Sequence, residues 1–219
     1  MNADGERAEI KVLVKFPPPV RDSSLPGFRG SDPFDLVLDS ARPNVLYAID
    51  GGLSKVVKVD TSTGQAPDFV TFAKLPNPNP ILGPRRIDPL PTGARQQGNW
   101  LYVAFLTGFP FPQGAAQIHR IDLDTGTDQT FLDRLTSCVD VEPVGDTLFV
   151  LQLSTNLLAI PPRLPAPGRL LRFDPGTAGG GAVIADGLNL SNSMARNPLT
   201  REFFIVEIGA GRVIRVMGQ

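Results

Sequence analysis

Four stretches of this chain repeat one two-part pattern: a short apolar run, then a segment alternating cationic and apolar residues. Leu46-Tyr47-Ala48-Ile49-Asp50 precedes Lys55-Val56-Val57-Lys58-Val59-Asp60. Leu101-Tyr102-Val103-Ala104-Phe105 precedes Gln117-Ile118-His119-Arg120-Ile121-Asp122. Leu148-Phe149-Val150-Leu151-Gln152 precedes Arg169-Leu170-Leu171-Arg172-Phe173-Asp174, and Phe203-Phe204-Ile205-Val206-Glu207 precedes Arg212-Val213-Ile214-Arg215-Val216. The runs open at residues 46, 101, 148 and 203, so the period is 55, 47 and 55 residues. Such periods suit a four-stranded propeller blade with loops of variable length.

Each unit has the same internal order. A first strand, such as 34–39, precedes the apolar run, whose continuous hydrophobicity fits burial on both faces between neighbouring blades. The cationic–apolar strand follows, ending in Asp in the first three units. Thr61-Ser62-Thr63-Gly64, Leu123-Asp124-Thr125-Gly126 and Pro175-Gly176-Thr177 then supply turns. Asp caps local amides in such a turn, and Gly accepts positive φ. Outer strands follow over 69–75, 129–135 and 182–188. The 22 prolines and 22 glycines are scattered through the chain, which disfavours long helices. The sequence therefore predicts one all-β domain over 1–219, a β-propeller of about four blades, with units at 33–76, 84–135, 138–188 and 191–216. The last unit ends after its third strand, and 9–16 is an orphan strand. Two readings follow: this strand completes the last blade and closes the ring, or the chain is part of a six-bladed type of propeller.

Composition narrows the function. A net charge of −1 gives no field to gather nucleic acid or anionic lipid. No apolar run approaches the roughly 18 residues of a membrane span. Residues 1–9 are polar and lack the apolar core of a secretory signal. Cys138 is the sole cysteine and reads as a small apolar filler. His119 is the sole histidine and sits mid-strand, which disfavours a Ser-His-Asp triad. One His and one Cys also exclude metal sites built on clusters of those residues. Gly179-Gly180-Gly181 lacks the following helix that a phosphate cradle needs.

The run Leu106-Thr107-Gly108-Phe109-Pro110-Phe111-Pro112-Gln113-Gly114-Ala115-Ala116 is distinctive. With Asp32-Pro33-Phe34-Asp35 and Ile118-His119-Arg120-Ile121-Asp122, it resembles the ScyD/ScyE family over about residues 32–216. That resemblance implies a propeller, usually of about six blades and exported, linked to bacterial secondary metabolism. It implies no catalytic residues.

Propeller topology predicts where a site would lie. Loops joining second to third strands, and blade to blade, leave on one face. The long loops, 17–32, 77–84, 106–116 and 154–168, all belong to these classes. That face carries Phe28, Phe109 and Phe111, and binding tends to sit on loops held by a rigid scaffold. The competing reading is that Phe109 and Phe111 plug the loop against the blades. Near the channel mouth, the second strands should end at Asp50, Phe105, Gln152 and Glu207. The first strands should begin at Asp35, Arg86, Asp140 and Asn192. Asp35, Asp50, Asp140, Asn192 and Glu207 offer oxygen ligands for a hard divalent cation such as calcium. The alternative is that they cap turns and pair with Arg86. Three functions remain open: a non-catalytic binding or scaffold propeller for a small molecule or protein, a metal-dependent lactonase- or lyase-like enzyme with its site at the channel mouth, or a subunit that completes a ring with another chain.

Overall fold

The computed structural model of the chain describes residues 10–18, 20–21, 28–158, 165–176 and 181–217. A small hairpin, β1 (Val20–Arg21) and β2 (Phe28–Arg29), precedes the first blade. That blade is β3 (Pro33–Leu38), β4 (Val45–Asp50), β5 (Lys55–Asp60) and β6 (Asp68–Thr71). A second hairpin, β7 (Leu75–Pro76) and β8 (Arg86–Ile87), leads to blade two: β9 (Pro91–Gln97), β10 (Trp100–Phe105), β11 (Ala116–Asp122) and β12 (Asp128–Leu135). Blade three is β13 (Cys138–Val144), β14 (Thr147–Gln152), β15 (Gly168–Phe173) and β16 (Ala182–Leu188). Blade four is β17 (Ser191–Arg196), β18 (Phe203–Glu207) and β19 (Arg212–Val216). All pairings are antiparallel, and one 3-10 turn (Pro80–Leu82) is the only helical element among the described residues. No helix there is long and apolar enough to cross a membrane. The chain is an all-β, four-blade propeller, with β3, β9, β13 and β17 as successive innermost strands.

The apolar second strands explain how the blades stack. Side chains alternate across a strand, so one run serves two interfaces. In β10, Leu101, Val103 and Phe105 join Tyr47, Ile49 and Val56 of blade one. The intervening Tyr102 and Ala104 join Val141, Leu148 and Val150 of blade three. In β14, Leu151 and Phe149 turn the other way, to Met194, Phe203 and Ile205 of blade four. At the ends of the series the alternation leaves apolar residues in solvent. Phe34, Leu36 and Leu38 are exposed on blade one, and Phe204, Val206 and Val213 on blade four.

The turns form as their sequence suggests. Asp60 Oδ1 accepts from the N–H groups of Ser62 and Thr63, and Asp122 Oδ1 from those of Asp124 and Thr125. Gly64 and Gly126 close these turns at φ of 76° and 71°.

The N-terminal segment does not complete the last blade. Residues 10–16 form no strand, and the fourth sheet has three strands among the described residues. Val14 and Phe16 instead lie on Ala48, Val57 and Val59, the side of blade one turned away from blade two. The alternating apolar residues of this segment find an apolar face to cover, not a strand edge to pair with. Residue 9 lies outside the described residues, as do residues 177–180, which include two of the three glycines of the 179–181 run.

Candidate functional site

The site is built where the second strands finish. Asp50 pairs with Pro33, Phe105 with Pro91, Gln152 with Cys138 and Glu207 with Ser191. The end of each second strand thus sits beside the start of its blade's first strand. A repeated backbone bond seals this corner. Gly51 N donates to Asp32 O at 3.0 Å, Leu106 N to Leu90 O at 3.0 Å, Leu153 N to Ser137 O at 2.9 Å and Ile208 N to Leu190 O at 3.1 Å.

The buried polar residues at these corners hold loops in place. Asp50 Oδ1 accepts from Asp32 N (2.9 Å) and Leu53 N (3.0 Å), and its Oδ2 from Ser31 Oγ (2.7 Å). Gln152 Nε2 donates to Thr136 O at 2.9 Å. Glu207 accepts from Asn189 N at 2.6 Å and pairs with Arg212. Burial pushes the Glu207 carboxyl up, but Arg212 and the Asn189 N–H outweigh it and hold the pKa below its ordinary value. In blade two the same position is Phe105, whose ring stacks on His119 at 4.4 Å. His119 Nδ1 lies 2.8 Å from Asp128 Oδ1, and its Nε2 lies 2.9 Å from Gln117 Oε1 and 3.4 Å from Thr130 Oγ1.

On the axis the structure places a cation the sequence reading missed. Arg95, in the middle of β9, touches all three other blades. Its Nη1 lies 3.2 Å from Asp35 Oδ2 on blade one. Its Nη2 lies 3.3 Å from Asp140 Oδ2 on blade three and donates to Met194 O on blade four at 3.1 Å. Its Nε lies 3.5 Å from Glu142 Oε2. The two aspartates also clasp the next blade: Asp35 Oδ2 accepts from Ala94 N at 3.0 Å, and Asp140 Oδ2 from Met194 N at 2.8 Å. Burial pushes the Asp140 carboxyl up to about 6, against the pull of Arg95 and the Met194 and Val141 N–H groups.

Two expected channel residues lie elsewhere. Arg86 is exposed on β8 and donates to Lys74 O, outside the innermost strand. By register, blade two presents Gly93 where blades one and three present Asp35 and Asp140. A Cβ at Gly93 would meet Asp140 Oδ1 at 2.6 Å, so no side chain fits there. In blade four the equivalent of Asp35 is Ser193, one residue past Asn192; Ser193 Oγ lies 3.4 Å from Asp140 Oδ2. Asn192 sits half-buried at the bulge of β17. Among the described residues, no three His, Cys, Asp or Glu side chains gather as a metal-ligand group.

Beyond the rim, three of the long loops meet, those over 77–84, 106–116 and 154–168. Gln113 Nε2 donates to Thr155 O at 2.7 Å, tying the β10–β11 loop to the β14–β15 loop. Gly83, after the 3-10 turn, lies under Pro110, whose Cδ would be 2.9 Å from an added Cβ. The 106–115 backbone is held by Thr107 N to Pro89 O (2.9 Å), Gly108 N to Asp88 O (2.8 Å) and Phe111 N to Gly108 O (2.9 Å). Thr107 and Phe111 adopt left-handed φ of 74° and 52°, conformations that persist only when their surroundings enforce them. Thr107, Gly108, Pro110 and Pro112 are buried, yet Phe109 between them is 63% exposed. Phe111 is half-buried, edge-on to Phe109 at 6.2 Å. Phe109 therefore does not plug the loop. The Phe28 side chain and residues 22–27 and 159–164 lie outside the described residues.

No family model matches the chain, and no curated protein matches it. Solved structures share its fold. One is a nidogen/laminin complex, with a TM-score of 0.55 at 15% identity, covering 84% of this chain and 58% of that one. Another is the PQQ-bound aldose sugar dehydrogenase of Streptomyces coelicolor, at 0.58 and 15%, covering 85% and 60%. A third, a putative gluconolactonase, gives 0.56 and 14%, covering 83% and 58%. The matched part thus spans less than two thirds of each of these chains.

Proposed function

We propose that this chain is a non-catalytic binding propeller of the ScyD/ScyE type, linked to bacterial secondary metabolism, whose long-loop face engages a small molecule or protein. The observation that carries this reading is Phe109, an exposed aromatic on a loop whose neighbouring residues are buried and backbone-bonded. A large ring presented on a fixed backbone loses little entropy on binding, and such anchors dominate binding energy at interfaces. The alternative is a lactonase- or lyase-like enzyme holding a divalent ion between Asp50, Asp140 and Glu207. It is less favoured because each of these carboxylates is already turned onto backbone N–H groups of its own corner or the next blade.

The test is quantitative binding of whatever ligand a screen returns, compared between wild type and Phe109→Ala. The exposed ring contributes little to folding, so stability should stay within about 0.5 kcal/mol. Affinity should fall at least tenfold, with recovery in Phe109→Tyr. Undiminished binding by Phe109→Ala would overturn this site.

A further inference from the structure

On the side opposite the long loops, the seam between blades three and four opens into a pocket of about 410 Å³. The ends of β13 and β17 and the starts of β14 and β18 surround it, so it lies at the short-turn end of both sheets. Phe149 and Phe203 line it, their rings 4.7 Å apart and tilted by 52°, with Ile184 beside them. Arg172, Arg196 and Arg201 also line it.

The charge there is unbalanced. Arg172 spends its Nε on Asp174 at 2.9 Å, which leaves its outer nitrogens for another acceptor. Arg196 and Arg201 make no ion pair among the described residues; Glu142 lies 3.5 Å from Arg95 and only partly offsets the Arg196 charge, which also acts on its carboxyl. Arg201 follows a turn in which Asn197 Oδ1 caps Leu199 N at 2.9 Å, and its own N–H bonds Asn197 O at 2.9 Å, so its base is held in place. Guanidinium groups present planar pairs of donors that match a carboxylate. An aromatic floor under such a fork demands a flat apolar body below the anionic head. The volume lies within the usual range for small-molecule pockets.

We propose that this seam binds an aromatic carboxylic acid, its carboxylate held by Arg196 and Arg201 and its ring laid against the half-buried Phe149, which the buried Phe203 backs from the core. The site is separate from the long-loop face and does not depend on what binds there.

Calorimetric titration with 2-naphthoate tests it, with 2-naphthylmethanol as the uncharged analogue. Wild type should bind one 2-naphthoate saturably and at least tenfold more tightly than the alcohol. The Arg196→Gln/Arg201→Gln double variant should lose at least tenfold. Arg201→Gln alone, in an exposed turn, should lose part of that and keeps the test open if the double variant fails to fold. Arg215→Gln, on the far strand of blade four, should bind as wild type does. The proposal is overturned if 2-naphthoate fails to saturate, if the alcohol binds equally well, or if Arg201→Gln and the double variant both bind undiminished.

Discussion

Arg95 Nη2 lies 3.3 Å from Asp140 Oδ2, and that carboxylate oxygen also accepts the Met194 N–H of the next blade at 2.8 Å. One oxygen thus joins the innermost strands of blades two, three and four. Because Asp140 is buried, the guanidinium is what keeps its ionised form tolerable.

Replacing Arg95 by Met should raise the Asp140 pKa above its value of about 6. The sign follows from burial: the folded pKa lies above the ordinary 3.8, so the folded protein holds this proton more tightly than the unfolded chain. The Asp140 contribution to stability is therefore greatest below about pH 4 and falls as pH rises to about 6. Arg95→Met should cost about 2 kcal/mol at pH 7, less than a fully buried pair because the Arg95 side chain is partly in solvent. The cost should shrink near pH 4.5. Carboxyl carbon NMR titration and urea unfolding at both pH values check this.

Asp39 gives the opposite pH dependence. Burial pushes its carboxyl up, but the Ala41 and Arg42 N–H groups, the Arg42 guanidinium and the Tyr47 hydroxyl together hold it below its ordinary value. The Tyr47 hydroxyl donates to Asp39 Oδ2 at 3.0 Å and is itself pushed up to about 12, by burial first, then by this hydrogen bond and the Asp39 charge. Asp39 thus adds stability above about pH 4 that is lost as pH falls through its lowered folded value. Asp39→Asn should cost about 1–3 kcal/mol at pH 7 and converge on wild type at pH 2. Denaturation midpoints at the two pH values measure the difference.

Neighbouring residues of β18 test the blade stacking. Ile205 is fully buried against blade three, whereas Val206 is 40% exposed on the other side. Ile205→Ala should cost roughly 2–5 kcal/mol, and Val206→Ala less than about 1 kcal/mol. Equal costs, read from chemical denaturation, would contradict the alternation.

Much of this fold was legible because the second strands must be apolar on both sides. Their last residues, Asp50, Phe105, Gln152 and Glu207, were found at the observed corners for that reason. The first strand of blade two was not. Pro91-Thr92-Gly93-Ala94-Arg95-Gln96-Gln97 carries no apolar alternation, since one side faces the polar axis and the other needs small residues for close approach. The sequence pattern therefore points to Arg86, which sits in an inserted hairpin, and not to Arg95. Aligning Asp35 and Asp140 onto Gly93 by strand pairing would have placed an arginine two residues later on the axis. The turn joining the first two strands is one residue shorter in blade four, where Arg196 pairs with Phe203, than in blade one, where Leu38 pairs with Leu46, so the offset that points to Asn192 falls one residue short of Ser193. The 10–16 segment shows the limit of periodicity: alternation signals an apolar face to be covered, not which surface covers it.

Site-specific photocross-linking tests the binding face most directly. A benzophenone side chain would replace Phe109 on the long-loop face in one sample and Asn44, in the short β3–β4 turn of blade one, in another. Irradiated with extract of the source cells, the protein labelled at 109 should give a discrete adduct that competes with unlabelled wild type, and the protein labelled at 44 should not. A competable adduct at 44 with none at 109 would contradict the account.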